Sequence, residues 1–249
     1  MSGRTPGAES GRKLLSVLLA FDEQHPTWTV GLLAEHLSLP LSTTYRYIAL
    51  LREQGLLDAS GDGTYRVTHR VASLARAAEA ARESMVELAR PILESTRDAV
   101  DETVVLVTRG GTYAYCVDRA ESRQPVRLQF SAGQAMPLHS GSASRVLLAA
   151  MPRGERSEYL RGVLPTLPVE RAGNLADDAL ERVSAAGWTE SFEEVDDGIW
   201  GAAAAVRADG DVIAALGAAG PIYRLSPAER KRIVTAVRSA AAQLSAALG

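Results

Sequence analysis

The chain has 249 residues, 46% of them apolar, and a net charge of −3, which suits one large or two modest globular domains and excludes a disordered chain. No apolar run approaches the ~20 residues that span a bilayer, and the opening MSGRTPGAES lacks the apolar core of a signal peptide. The single cysteine, Cys116, excludes an internal disulfide framework and fits a reducing cytoplasm. Residues 1–80 hold eight Arg/Lys and eight Asp/Glu, while residues 41–76 hold five Arg and three acids. Any contact with nucleic acid must therefore come from placement rather than bulk charge.

Residues 1–10 read as a disordered tail. A first helix is expected over 12–23, with Leu14, Leu15, Leu18 and Leu19 as its apolar stripe, ended by His25-Pro26. Thr29 can cap a second helix whose Val30, Leu33, Ala34 and Leu37 fall at i, i+3, i+4 and i+7. Ser38-Leu39 form a turn, and Pro40 suits the start of a third helix. There Leu41, Tyr45, Ile48 and Leu51 make the expected inward stripe, and Gly55 ends it. Leu56-Leu57 and Thr64–Val67 flank Ser60-Gly61-Asp62-Gly63, a hairpin with a clear turn. Two short helices joined tightly and followed by such a hairpin are the outline of a winged helix-turn-helix, whose second helix enters the major groove of DNA.

Residues 70–100 return to helix, with a break expected near Pro91, and the first part, 70–90, links two domains. Strands are then expected at 104–108, 112–118, 125–130, 188–192, 202–208 and 211–218, with helices at 141–150 and 174–186. Ala208-Asp209-Gly210-Asp211 is a hairpin turn. Ser226-Pro227-Ala228-Glu229 opens a last amphipathic helix with a capping box. Grouped strands with helices between them make the second domain α+β.

On the third helix, Arg46 can meet a phosphate or a guanine edge. Ser42, Thr43 and Thr44 can donate to phosphate near the helix N-terminus, where the dipole favours anions. Tyr47, on the same face as Thr43 and Arg46, can pack on a sugar or a thymine methyl, and Arg66 of the wing can reach the minor groove. A trihelical fold with a wing also serves as a protein-binding module, so an adaptor remains an alternative.

Four segments, in order, carry a family resemblance: TVGLLAEHLSLPLSTTYRYIALLREQGLL (29–57) with its wing, GQAMPLHSGSASRVLLA (133–149), EEVDDGIWGAAAAV (193–206) and VIAALGAAGPIYRLSPAE (212–229). Over about residues 12–248 the chain resembles the IclR family of bacterial transcriptional regulators. The resemblance implies a winged helix-turn-helix over 11–69, a linker helix over 70–90 and an effector-binding domain over 91–249 built on a curved antiparallel, GAF-like sheet. It also implies a homodimer or homotetramer on double-stranded operator DNA that responds to a small carboxylate effector.

In such regulators the effector's acid group sits at a helix start, a role carried here to the amides of Ser140, Gly141 and Ser142, with the Ser140 and Ser142 hydroxyls as extra donors. The remainder of the pocket falls to Leu128, Phe130, Ser191, Ile199, Trp200, Gly201, Gly217 and Ala219. The chain departs from the family where Ser38 replaces a turn glycine and where Gly201, Gly217 and Ala219 replace polar or thiol groups. These losses predict a wider, less polar pocket, suited to an acid with a large apolar or aromatic body. The alternative is that these residues only allow close packing of an Ala-rich sheet.

No catalytic constellation is evident. His139 stands beside serines, but no G-x-S-x-G elbow is present, so a helix-start or core role is expected for it. An enzyme built on the second domain is the remaining alternative. The histidines and Cys116 lack metal-ligand spacing, so no metal or cofactor is expected. The acidic run Glu193, Glu194, Asp196, Asp197 is expected as a solvated loop at the pocket rim.

Overall fold

The computed structural model describes residues 7–22, 24–80 and 83–249. It divides into two compact units, Met1–Glu83 and Ser84–Gly249.

The first unit runs α1 (Glu9–Leu19), β1 (Thr27–Trp28), α2 (Val30–His36), α3 (Leu41–Glu53), β2 (Leu57–Ala59), β3 (Tyr65–Val67) and α4 (His69–Ala80). Helix α1 begins inside the segment expected as a tail, of which residues 1–6 lie outside the described residues, and it ends at Leu19 rather than near 23. Thr29 caps α2, its side chain accepting from Leu32 N. Between α2 and α3, Ser38 adopts φ 52°, the left-handed turn a glycine would favour. The wing is a three-stranded sheet in the order β1-β3-β2, with β1 an addition to the expected hairpin. Val17, Val30, Leu33, Tyr47, Ile48, Leu51 and Leu57 form the core.

In the second unit α5 (Glu83–Val100) continues as helix through Pro91, which corrects the expected break. Proline removes the bond to the carbonyl of Glu87, but both residues are exposed, so water can take the freed acceptor. Next come β4 (Thr103–Gly110), β5 (Tyr113–Ala120), β6 (Ala135–Pro137), α6 (Ser142–Ala149), α7 (Arg153–Val163), α8 (Val169–Gly173) and α9 (Asp177–Ala186). Strands β7 (Trp188–Phe192), β8 (Ile199–Ala208) and β9 (Asp211–Pro221) then lead to α10 (Pro227–Leu248).

The strands form one curved, wholly antiparallel sheet in the order β6-β5-β4-β9-β8-β7. Strand alternation sends Val104, Leu106, Trp200, Ala202 and Leu216 to the face covered by α5 and α10. The same alternation sends Val105, Val107, Ala203 and Ala215 to the face covered by α6 and its neighbours. Asp209 and Gly210, both at positive φ, make the β8–β9 turn, and the capping box at Ser226 and Glu229 opens α10.

Residues 125–130 are not a strand. Their alternation is real, but this segment crosses the α6 face with its carbonyls held by side chains: Thr103 Oγ1 donates to Leu128 O and Arg224 Nη1 to Val126 O. The free edge of β5 is taken instead by β6.

Candidate nucleic-acid interface and ligand cavity

Helix α3 buries Thr44, Tyr47, Ile48 and Leu51, a stripe at i, i+3, i+4 and i+7. That corrects the expected phase. Thr44 is fully buried, with its hydroxyl donating to Pro40 O, and Tyr47 belongs to the core. Tyr47 packs its ring into the core with Leu33, Ile48 and Leu51, while the threonine hydroxyl satisfies itself locally. Neither Thr44 nor Tyr47 is then available to DNA. Conversely, Tyr45, expected in the core, is 54% exposed. The outward face of α3 is Ser42, Tyr45, Arg46 and Ala49, again at i, i+3, i+4 and i+7, with Thr43 half-buried beside it. Arg66 is exposed on the central wing strand, opposite Asp58 and Thr27.

In the second unit a cavity of about 550 Å³, counting the part open to solvent, lies between the sheet and α6. The expected residues Leu128, Phe130, Ser140, Gly141, Ser142, Ser191, Ile199, Gly201, Gly217 and Ala219 line it, together with Val105, Val107, Met136, Glu194 and Val195. Trp200 does not. As the strand neighbour of Ile199 and Gly201 it points to the other face, fully buried against α10, and donates through Nε1 to Glu190.

The acidic run is only partly the solvated loop expected. Glu193, Asp196 and Asp197 are exposed, but Glu194 is buried. Its Oε2 accepts from Gly141 N at 3.1 Å, while Oε1 accepts from Arg145 Nη1 and Asn174 Nδ2. The Ser140 hydroxyl donates to Glu194 O. Glu194 therefore caps α6 from outside the helix and occupies two of the donors expected for an effector's acid group, the Gly141 amide and the Ser140 hydroxyl. Arg145, also buried, extends the network to Thr189 Oγ1 and Glu190 O. A buried pair of opposite charge joined by hydrogen bonds is stable where either ion alone would not be.

What remains free lies around Gly201. A Cβ there would stand 3.1 Å from both Ser142 Oγ and Ser191 Oγ, so the missing side chain opens a space between two hydroxyls. The amide of Ser142, the first helical residue of α6, has no intrahelical acceptor. Gly217 is different. A Cβ there would meet Ala202 O at 3.1 Å and the Ala203 Cβ at 3.2 Å, so its smallness serves packing of the sheet.

His139 shares a hydrogen bond of 2.8 Å with the Tyr159 hydroxyl, and burial, followed by the Arg171 charge, holds its pKa below the ordinary value. Its neighbour Ser140 is committed to Glu194 O, so no nucleophile–base pair forms between them. Cys116 is buried in β5, and burial pushes its thiol up to about 11, far from a reactive thiolate. Among the described residues no His/Cys/Asp/Glu group has the placement of a metal site, and no helix is long and apolar enough to cross a membrane.

The sequence matches the family model of the IclR helix-turn-helix domain over residues 12–61 and that of the bacterial transcriptional regulator IclR C-terminal domain over residues 77–246. The HTH-type transcriptional regulator KipR of Bacillus subtilis is 26% identical, covering 90% of this chain and 91% of its own length. An IclR transcriptional regulator from a Silicibacter species superposes with a TM-score of 0.79 at 22% identity, covering 96% of both chains. An IclR homologue from Microbacterium hydrocarbonoxydans, crystallised with 4-hydroxybenzoate, gives a TM-score of 0.73 at 24% identity, covering 96% of this chain and 99% of that one.

Proposed function

The chain belongs to the IclR family of bacterial transcriptional regulators, whose named relatives are DNA-binding regulators rather than enzymes, and on that premise we propose how it reads DNA and what it senses. The observation that carries the DNA reading is the outward face of α3. Ser42 and Thr43 stand at the start of the helix for phosphate, and Tyr45 and Arg46 follow for base edges or sugars, with Arg66 of the wing reaching the adjacent minor groove. The chain acts in the cytoplasm as a dimer or dimer of dimers, whose paired recognition helices read half-sites one helical turn, ~34 Å, apart or a multiple of it.

Residues 11–69 carry this role, 91–249 hold an effector, and 70–90 couple the two. The effector is a small organic acid with a bulky apolar or aromatic body. Its carboxylate takes the Ser142 amide and the hydroxyls of Ser142 and Ser191 above Gly201, and its body lies against Val105, Val107, Leu128, Phe130 and Ile199. A mostly apolar cavity with a few convergent donors supports this class of ligand. A coupling of about 1–3 kcal/mol between the two sites changes operator occupancy several-fold or more.

A mobility-shift titration on the DNA upstream of the gene, with non-specific competitor and a panel of carboxylic acids, tests both parts. The expected result is a competitor-resistant shift altered by an aromatic acid such as 4-hydroxybenzoate and not by glyoxylate or pyruvate. No shift with any upstream DNA would favour a protein-binding adaptor. A response to the two small acids alone would overturn the assignment of the pocket.

A further inference from the structure

The side of β7 that faces α10 carries Trp188, Glu190 and Phe192, and these form a groove with Arg230, Lys231, Val234, Thr235 and Arg238 of the helix. The Arg238 guanidinium lies 5.3 Å from the Trp188 ring centroid and that of Arg230 lies 5.2 Å from Phe192. Phe192 nevertheless remains 50% exposed. Immediately beyond Phe192 comes the β7–β8 loop, with Glu193, Asp196 and Asp197 exposed around Val195, itself 62% exposed. None of these three acids and none of Arg230, Lys231 and Arg238 takes part in an ion pair among the described residues. One patch of a single unit thus holds a groove with three cations against one carboxylate, Glu190, which accepts from Trp200 Nε1, and an acidic tip, with an exposed aromatic ring between them.

We propose that this patch is a self-complementary interface, and that its occupant is the same patch on a second copy of this chain. Phe192 stands between the tip and the rest of the groove, which runs about 13 Å back along β7 to Trp188. A two-fold axis beside Phe192 therefore carries each acidic tip toward the Trp188 end of the partner's groove, where Arg238 stands, while each Arg230 stays stacked on its own Phe192 near the axis. The two Phe192 rings form the apolar centre, and the reciprocal charge pairs form the rim, the arrangement an isologous contact requires. Strand addition along the edge of β7 is not the mode, because Arg145 already donates to the outward carbonyl of Glu190.

The proposal rests on the self-association in the preceding reading and locates one of its contacts. The test is the solution mass of the full chain by analytical ultracentrifugation, for the wild type, a groove variant (Arg230→Glu with Arg238→Glu) and a tip variant (Asp196→Lys with Asp197→Lys). Each variant is expected to show half the wild-type mass at the same concentration. An equimolar mixture should recover the wild-type mass, because each mixed pair places reversed tip on reversed groove and native on native. Recovery on mixing also shows that both variants fold. Unchanged masses in the variants, or no recovery on mixing, would overturn the interface while leaving self-association standing. A monomeric wild type would overturn both, and operator binding in the mobility-shift assay stands apart from either result.

Discussion

Arg145 and Glu194 are each less than a tenth exposed and are joined side chain to side chain across the wall of the cavity. Removing one partner strands the other charge in a low-dielectric site, which costs about 3–5 kcal/mol. Arg145→Met is expected to lower unfolding stability by that amount in urea titrations, whereas Arg145→Met with Glu194→Leu should recover most of it. If the double variant is as unstable as the single one, the hydrogen bonds from Arg145 to Thr189 and Glu190 matter more than the charge pair does. The pair was not legible in the sequence, where Glu194 sits in an acidic run and its partner is 49 residues away. Nothing local distinguishes it from Glu193 or Asp196, and only the packing of the loop against the start of α6 selects it. The glycines were more legible. Gly141 has φ 87° and Val195 against its missing side chain, and Gly201 opens the space between Ser142 and Ser191. In both, a missing side chain on a half-polar segment signals a close approach.

At the scale of elements, periodicity placed most helices and strands and erred where two readings of one pattern competed. Helix α3 offers two apolar stripes, and the one containing Tyr47 prevails because that ring fills the core beside Leu33 and Leu51. The alternation in 125–130 describes a segment that turns the half-buried Leu128 and Phe130 to the cavity without pairing to a strand. Pro91 shows that a breaker in the sequence need not break a helix whose freed carbonyl faces water. Pro91→Ala restores one amide donor and a better helix former, and is expected to raise stability, by at most about 3 kcal/mol. Thermal unfolding checks it. A lower midpoint would mean that the proline ring itself packs on a surface the alanine vacates.

For the molecule as a whole, a net charge of −3 means that attraction to DNA must be local. The salt dependence of binding can apportion it. Each phosphate neutralised adds about −0.9 to the slope of log K against log salt on duplex DNA. Arg46 is exposed and forms no ion pair among the described residues, so Arg46→Ala should leave the unfolding curve unchanged. If Arg46 neutralises one phosphate, the substitution weakens operator binding and lowers the slope by about 0.9. If it reads a guanine edge instead, discrimination against non-operator DNA falls by about 1–3 kcal/mol and the slope changes little. Tyr45→Ala, on the same outward face, removes apolar contact without charge and should weaken binding at constant slope. Thr44→Ala provides the contrast. Its hydroxyl is spent on Pro40 O inside the fold, so it should lower stability with affinity per folded molecule intact. Unchanged affinity in both Arg46→Ala and Tyr45→Ala would remove α3 as the reading element and leave the wing, through Arg66, as the remaining contact to test.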